Sequence, residues 1–426
     1  MKRPPQWIIA LACAASLAGA ARAQDSAALP LLPPEATVLQ VLAQLPQVRA
    51  ASAGIPLAQA RSQRLQAGPH DWVAKAGVNR RSEQGGPHYR ESEIGLETGL
   101  RWPAKVAADR QLGSVEERLG HIGHADAWHE AARSLLADWF EVLRDTRSAQ
   151  LLEAQDRLMQ RQLKVTQRRV ETGDAAALEL LAANAERARV QAQATRARAQ
   201  AELRGHSLLR RYPGLADPAG LLAARPDDWL GQAPLADATD PASAWVERIL
   251  DDNHEIERAQ ARAEQARLQA GRVQLERQPD ATVGVRATRE RGGQEQVLGV
   301  YLSLPLGGAG RAADARAALA QADIADQELA QTRQRVETEA WRTASEAQQA
   351  RATLVSQRHA LEQLEKNAGL QERAYALGES PLVDLLLARR GALEARLAAE
   401  TSALDAMQAQ ARMLLDAHRL WRAPEH

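Results

Sequence analysis

The chain has 426 residues, with 54 Lys and Arg balanced against 54 Asp and Glu. That balance argues against a nucleic-acid partner, which calls for a basic face, and a single cysteine excludes a disulfide scaffold. Aromatics make up 3%, with Phe140 the only phenylalanine, while Ala, Gln, Arg, Glu and Leu dominate long stretches; such a chain forms long helices or coiled coil rather than a thick globular core.

Lys2 and Arg3 open the chain, an apolar run follows from Trp7 to Ala20, and Ala21, Arg22 and Ala23 form a small-x-small site before Gln24. This order predicts a secretory signal peptide over 1–23. The lone Cys13 lies inside it, and Ala10-Leu11-Ala12 is a poor box for lipidating that cysteine. Removing Lys2, Arg3 and Arg22 leaves a mature chain about three charges negative. No later run is long and apolar enough to span a bilayer as a helix. Membrane residence would therefore need strands closed into a barrel.

The first repeat is expected over 24–211: a helix, a β-hairpin at about 72–102, then a helical hairpin with its tip near 173. Ile94, Leu96, Thr98, Leu100 and Trp102 alternate with Glu93, Gly95, Glu97, Gly99 and Arg101. A weaker alternation of Trp72, Ala74, Ala76 and Val78 precedes them across Gln84-Gly85-Gly86-Pro87, which reads as a hairpin loop. Residues 105–172 contain no proline and repeat Leu151, Leu158 and Val165 every seven positions, which predicts a coiled-coil-like rod. At 1.5 Å per residue such a rod is on the order of 100 Å long. A returning helix is expected over 174–211, and the Pro-, Gly- and Asp-rich 212–240 reads as a linker with little regular structure.

The second repeat, 241–426, has the same order: a helix, a hairpin at about 280–305, a proline-free stretch over 309–377, a tip near 378 and a returning helix over 381–419. Leu298, Val300, Leu302 and Leu304 alternate with Gly299, Tyr301 and Ser303, after a weaker set of Ala281, Val283, Val285 and Ala287. Val170 to Leu181 aligns without a gap on Tyr375 to Leu386, each with a Gly, an acid, a turn and Leu-Leu. This is an internal repeat of about 205 residues. Gly173 and Gly378 are placed just past a helix end, and Pro381 in the first turn of the next helix.

Four strands cannot close a membrane barrel, whose smallest examples have about eight. Several chains must contribute, and three would supply twelve strands. Their apolar faces (Ile94, Leu96, Leu100, Trp102, Leu298, Val300, Leu302 and Leu304) would meet lipid, while Glu93, Glu97 and Arg101 would face a wet lumen. His121 and His124 share a helix face with His129 following, but no acid or cysteine completes a ligand set, so no metal or cofactor is expected. No Gly-x-Ser-x-Gly elbow, phosphate loop or His-Glu-x-x-His is present, so no enzyme is expected. The alternative class is a soluble periplasmic coiled-coil protein, either a structural spacer or an adaptor.

The duplicated hairpin–helix–glycine-turn–helix order resembles the TolC family of outer-membrane efflux proteins along the whole mature chain. Val300 to Arg311 resembles that family's strand-to-helix passage, and Leu377 to Leu386 its helix-hairpin tip. The compact length and the Leu306-Gly307-Gly308 step look most like the CzcC-type branch, associated with divalent heavy-metal export. The resemblance implies a mainly α fold with a small β part, a homotrimer, a twelve-strand barrel in outer-membrane lipid and a twelve-helix periplasmic tunnel. It also implies an adaptor (membrane fusion) protein and an inner-membrane pump of the RND type as partners. Carried onto this chain, the adaptor-docking tips are Thr172, Gly173 and Leu178 in the first half and Leu377, Gly378, Ser380 and Pro381 in the second. Asp384 matches the first of two aspartates that narrow the tunnel entrance, and Leu387 replaces the second. One carboxylate ring could still favour cations. Asp384 reads equally as an acid favoured by the helix dipole.

Overall fold

The computed structural model describes residues 31–82, 84–223 and 240–423. The expected signal peptide with Cys13 lies outside the described residues, as do 224–239 of the expected linker.

Each half opens with a short helix and a 22-residue helix: α1 (Glu35–Gln44) and α2 (Pro46–Ala67) in the first, and, after the connecting segment, Ala242–Asp251 and His254–Leu275 in the second. The first half continues through β1 (Val73–Ser82), β2 (His88–Leu100), α3 (Pro103–Glu171) and α4 (Ala177–Arg211), and a short α5 (Pro218–Ala223) follows. The second half runs through α6 (Ala242–Asp251), α7 (His254–Leu275), β3 (Ala281–Glu290), β4 (Glu295–Ser303), α8 (Ala309–Ala376) and α9 (Leu382–Asp416). The long helices α3 and α8 have 69 and 68 residues, and α4 and α9 have 35 each. Helix formers without an internal proline sustain these lengths. Pro103 occupies the first position of α3, where a missing N–H costs nothing.

The chain divides into two compact units. One comprises 50–126 and 254–335 and contains the sheet. Its four strands are all antiparallel, in the order β1-β2-β3-β4, so both hairpins join one sheet. The register aligns Ala76, Ile94, Ala287 and Leu298 across the strands. Ala74, Leu96, Val285 and Val300 form the next row. Every apolar alternation therefore falls on one face, and a one-residue slip in any strand would send its set to the other face. Beside the sheet, Val115, Ile122 and Ala261 pack α3 against α7. The step into α8 is fixed by Gly307, where any Cβ would lie 2.8 Å from the Arg277 carbonyl oxygen, too close for other residues.

Among the described residues, the other unit comprises 31–49, 127–223, 240–253 and 336–423. Its core gathers Trp128, Leu135, Leu136, Trp139, Phe140 and Leu143 of α3 with Leu404, Met407, Leu415 and Trp421. Each fully buried large apolar side chain contributes about 1.5–3 kcal/mol. Two of its buried indoles find backbone acceptors: Trp139 Nε1 donates to Leu31 O at 2.8 Å and Trp128 Nε1 to Trp421 O at 2.9 Å. The start of the expected linker departs from the sequence reading. Tyr212, Leu215 and Leu222 are buried in this core, with α5 formed among them. Their apolar side chains lie between turn-forming Pro213, Gly214 and Pro218, and the turn signal hid them.

Candidate functional site

The sheet carries one face that water does not suit. Leu298 is 83% exposed and Val300 75%, with Ile94, Leu96, Leu100 and Leu302 also exposed beside them. Trp102 and Leu304, expected on the strands, lie one or two residues past the ends of β2 and β4, and both are exposed. The opposite face is polar. Lys75 Nζ donates to Glu97 at 2.6 Å, and the Tyr301 hydroxyl also donates to Glu97. Arg81 pairs with Glu91 at 3.1 Å. Strands of 9 to 13 residues match the length that crosses a hydrocarbon layer when tilted. β1 and β4 each pair on one side only.

Arg101 does not join that polar face, contrary to the expectation from alternation. Beyond the strand end it turns into a charged cluster with Lys105, Asp109, Glu276 and Asp280. Arg101 Nη2 donates to Asp109 at 2.8 Å and Nη1 to Asp280 at 3.0 Å. Lys105, 1% exposed, donates to Glu276 and Asp280, both at 2.9 Å, and His70 Nε2 lies 2.8 Å from Asp280. Burial raises the Glu276 pKa, but the hydrogen bonds from Lys105 and Arg101 outweigh it and hold the carboxyl below its usual range. The signal for this cluster was in the sequence. Arg101 and Lys105 are four apart at the passage from β2 to α3, and Glu276 and Asp280 are four apart at the passage from α7 to β3.

The two helix-hairpin tips are built alike. Gly173 has φ 82° and Gly378 φ 78°. At the first tip, Gly173 N donates to Val170 O at 3.1 Å and Asp174 N to Arg169 O at 2.7 Å. At the second, Gly378 N donates to Tyr375 O at 3.1 Å and Glu379 N to Ala374 O at 2.9 Å. Both are Schellman closures, which need a left-handed residue after the helix. Thr172 donates from its hydroxyl to Asp174 at 2.6 Å, and Ser380 to Gln371 at 3.0 Å. Pro381 is the N-cap of α9 rather than its first residue, because its ψ of 156° is extended. Leu178 and Leu377 are each 74% exposed. Asp384, in the first turn of α9, and Leu387 are exposed.

Beneath the tips, Met159, Ala183, Val190, Tyr375, Leu382, Leu385 and Leu386 form a shared apolar cluster. The Arg169 guanidinium stacks over the Tyr375 ring at 4.9 Å. Glu186 accepts from both Arg189 and Arg390. Burial raises its pKa, yet these two guanidinium groups bring it below the ordinary glutamate value. His124 is buried, and among the described residues no three His, Cys, Asp or Glu converge as metal ligands. Among the described residues no helix is long and apolar enough to cross a membrane.

No protein-family model matches the chain, and no curated protein matches it. Solved structures do. The outer-membrane channel OprN matches with a TM-score of 0.74 at 20% identity, over 91% of this chain and 90% of that one. The outer-membrane protein VceC from Vibrio cholerae matches with a TM-score of 0.68 at 18% identity, over 89% and 95%. The Campylobacter jejuni CmeC outer-membrane channel matches with a TM-score of 0.69 at 14% identity, over 91% and 85%. At these identities the likeness is one of fold.

Proposed function

We propose that this chain, whose fold is that of the TolC family of outer-membrane channels, is one third of a trimeric outer-membrane efflux conduit. The observation that carries the reading is the sheet: one continuous exposed apolar face, one polar face and two unpaired edges. An isolated sheet of that kind would aggregate through its edges. Closed edge to edge with two further copies, four strands per chain become a twelve-strand barrel, apolar outside and wet inside. The helical hairpins then pool into a periplasmic tunnel, and the tips meet a periplasmic adaptor that connects to an inner-membrane pump. In this reading the pump supplies the energy for transport and the conduit is passive. In a trimer, Asp384 would repeat three times at the tunnel entrance, where converging carboxylates attract cations. The Leu306-Gly307-Gly308 step resembles that of the CzcC-type branch, and divalent heavy-metal cations are the cargo class which that resemblance suggests.

Fractionation with a heat-modifiability gel tests the reading. The expected species is outer-membrane, detergent-extracted and trimeric until boiled. A monomer released by osmotic shock overturns the channel in favour of a soluble periplasmic protein. Substituting Gly378 and Pro381 tests the tips: efflux is lost while the trimer still inserts. Loss of the trimer instead refutes a docking role.

A further inference from the structure

The two tips share a backbone and an apolar surface but not a charge. Val165 and Leu370 occupy equivalent positions and are both exposed, as are Leu178 and Val383. On the last turns of α3, Arg157, Arg161, Lys164 and Arg168 follow one another at spacings of four, three and four, so they line one helix face. All four are exposed. Between Arg157 and Arg169 there is no acid. The equivalent stretch of α8 is mixed: Glu362, Glu365 and Glu372 against Lys366 and Arg373.

Glu153 and Glu171 bracket the stripe on the same face, and Glu171 accepts from Gln167. Asp156, the acid next to it, is engaged by Arg187 at 3.7 Å and by Gln160 at 2.8 Å. No described carboxylate pairs with any of the four cations. Like charges at these spacings destabilise a helix, and the helix dipole accounts only for Arg168 in the final turn. The tip segments of a second copy offer no strongly acidic match for the stripe. Residues 157–191 carry seven cations against four acids, and 362–396 carry five against six. Of those six acids, Glu365 and Glu372 are already held by Arg396 and Arg389.

We propose that the basic face of the first tip docks an acidic helix of the periplasmic partner, and that this charge tells the partner's site on the first tip from its otherwise equivalent site on the second. The inference rests on the channel reading above. The duplicated apolar residues supply a common anchor at both tips, and the unduplicated charges supply the discrimination.

A photo-reactive residue at the exposed Gln167, in the full-length chain in cells, tests it. The expected adduct is an envelope protein captured through a helical peptide rich in Asp and Glu. Reversing Arg157, Arg161, Lys164 and Arg168 to Glu should reduce that adduct about tenfold, the scale of losing several rim charges together. Lysines in place of the acids of the captured helix should restore it, and Lys366→Glu with Arg373→Glu should leave it unchanged. If the reversed chain does not reach the outer membrane, the neutral set Arg157→Gln, Arg161→Gln, Lys164→Gln and Arg168→Gln should show the same loss more weakly. Capture of another copy of this chain, capture through a peptide without acids, no protein adduct, or an adduct indifferent to the charge changes overturns the proposal. The outer-membrane trimer is scored separately, so failure of docking and failure of the channel reading give different results.

Discussion

The ammonium of Lys105 lies 2.9 Å from Oδ1 of Asp280, joining the first residues of a long helix to the residue before a strand of the other repeat. With Lys105 1% exposed and Glu276 a second acceptor at 2.9 Å, the pair clamps the step from sheet to helix. Without Lys105, Arg101 alone is left to balance both Glu276 and Asp280, and a surplus charge in a buried cluster is destabilising. Lys105→Met should therefore lower the unfolding temperature of the detergent-extracted protein. Adding Glu276→Gln should recover part of the loss, because it removes the surplus negative charge. An unchanged melting curve for Lys105→Met would show that the cluster contributes nothing to stability.

That clamp marks where the sequence was legible and where it was not. Periods of two and seven placed strands and rods to within a few residues, because each element sends its apolar side chains to a single face. The tips were legible because Gly173 and Gly378 must adopt positive φ, a demand that leaves a mark in the sequence. Arg101 was misplaced because alternation was extended past the last ladder pair, Leu100 with Ala281, where the chain is free to turn. Tyr212, Leu215 and Leu222 were missed because burial by contacts distant in sequence has no period.

A second buried pair lies in the helical unit. Arg147 donates twice to Glu400, with Nη2 at 3.1 Å from Oε1, and Glu400 is also approached by Arg396 at 3.4 Å. Glu400→Leu alone leaves the buried Arg147 without its carboxylate, with Gln150 as its remaining acceptor at 3.2 Å, and should cost about 3–5 kcal/mol. The double substitution Glu400→Leu with Arg147→Met should return stability to near or above the starting value, as buried pairs replaced by apolar residues often do. A thermal-melt double-mutant cycle reads the coupling directly. Additive losses would show that the two side chains act independently.

Asp416 gives the helical unit an acid sensitivity. Burial raises its pKa, but the hydrogen bond from His129 and the charges of Arg133 and Arg412 prevail and hold it well below the ordinary aspartate value. A carboxyl with a depressed native pKa stabilises the fold above its unfolded pKa of about 3.9, and that contribution fades as pH falls toward the native value. Unfolding temperature should therefore drop as the medium is acidified below about pH 4. Asp416→Asn should melt lower at neutral pH and show a shallower acid slope. Parallel slopes for the two proteins would assign the acid response to other carboxylates.

The two faces of the sheet predict opposite tolerances. Val300 lies mid-strand on the apolar face, in register with Val285 and, through it, Leu96. A lysine on the lipid side of a barrel strand costs about 2–4 kcal/mol at mid-depth, so Val300→Lys should reduce the heat-modifiable outer-membrane species and leave protein in the periplasm. Glu97 is on the other face, bound by Lys75 and Tyr301. Glu97→Gln keeps an acceptor for both donors and places no charge against lipid, so the assembled species should persist at its normal level. On the channel reading the change falls in the lumen: one negative charge per chain disappears, and single-channel recordings in planar bilayers should show lower preference for cations. If Val300→Lys assembles normally while Glu97→Gln does not, the sheet faces the opposite way, with its apolar side inward, and the barrel assignment fails with it.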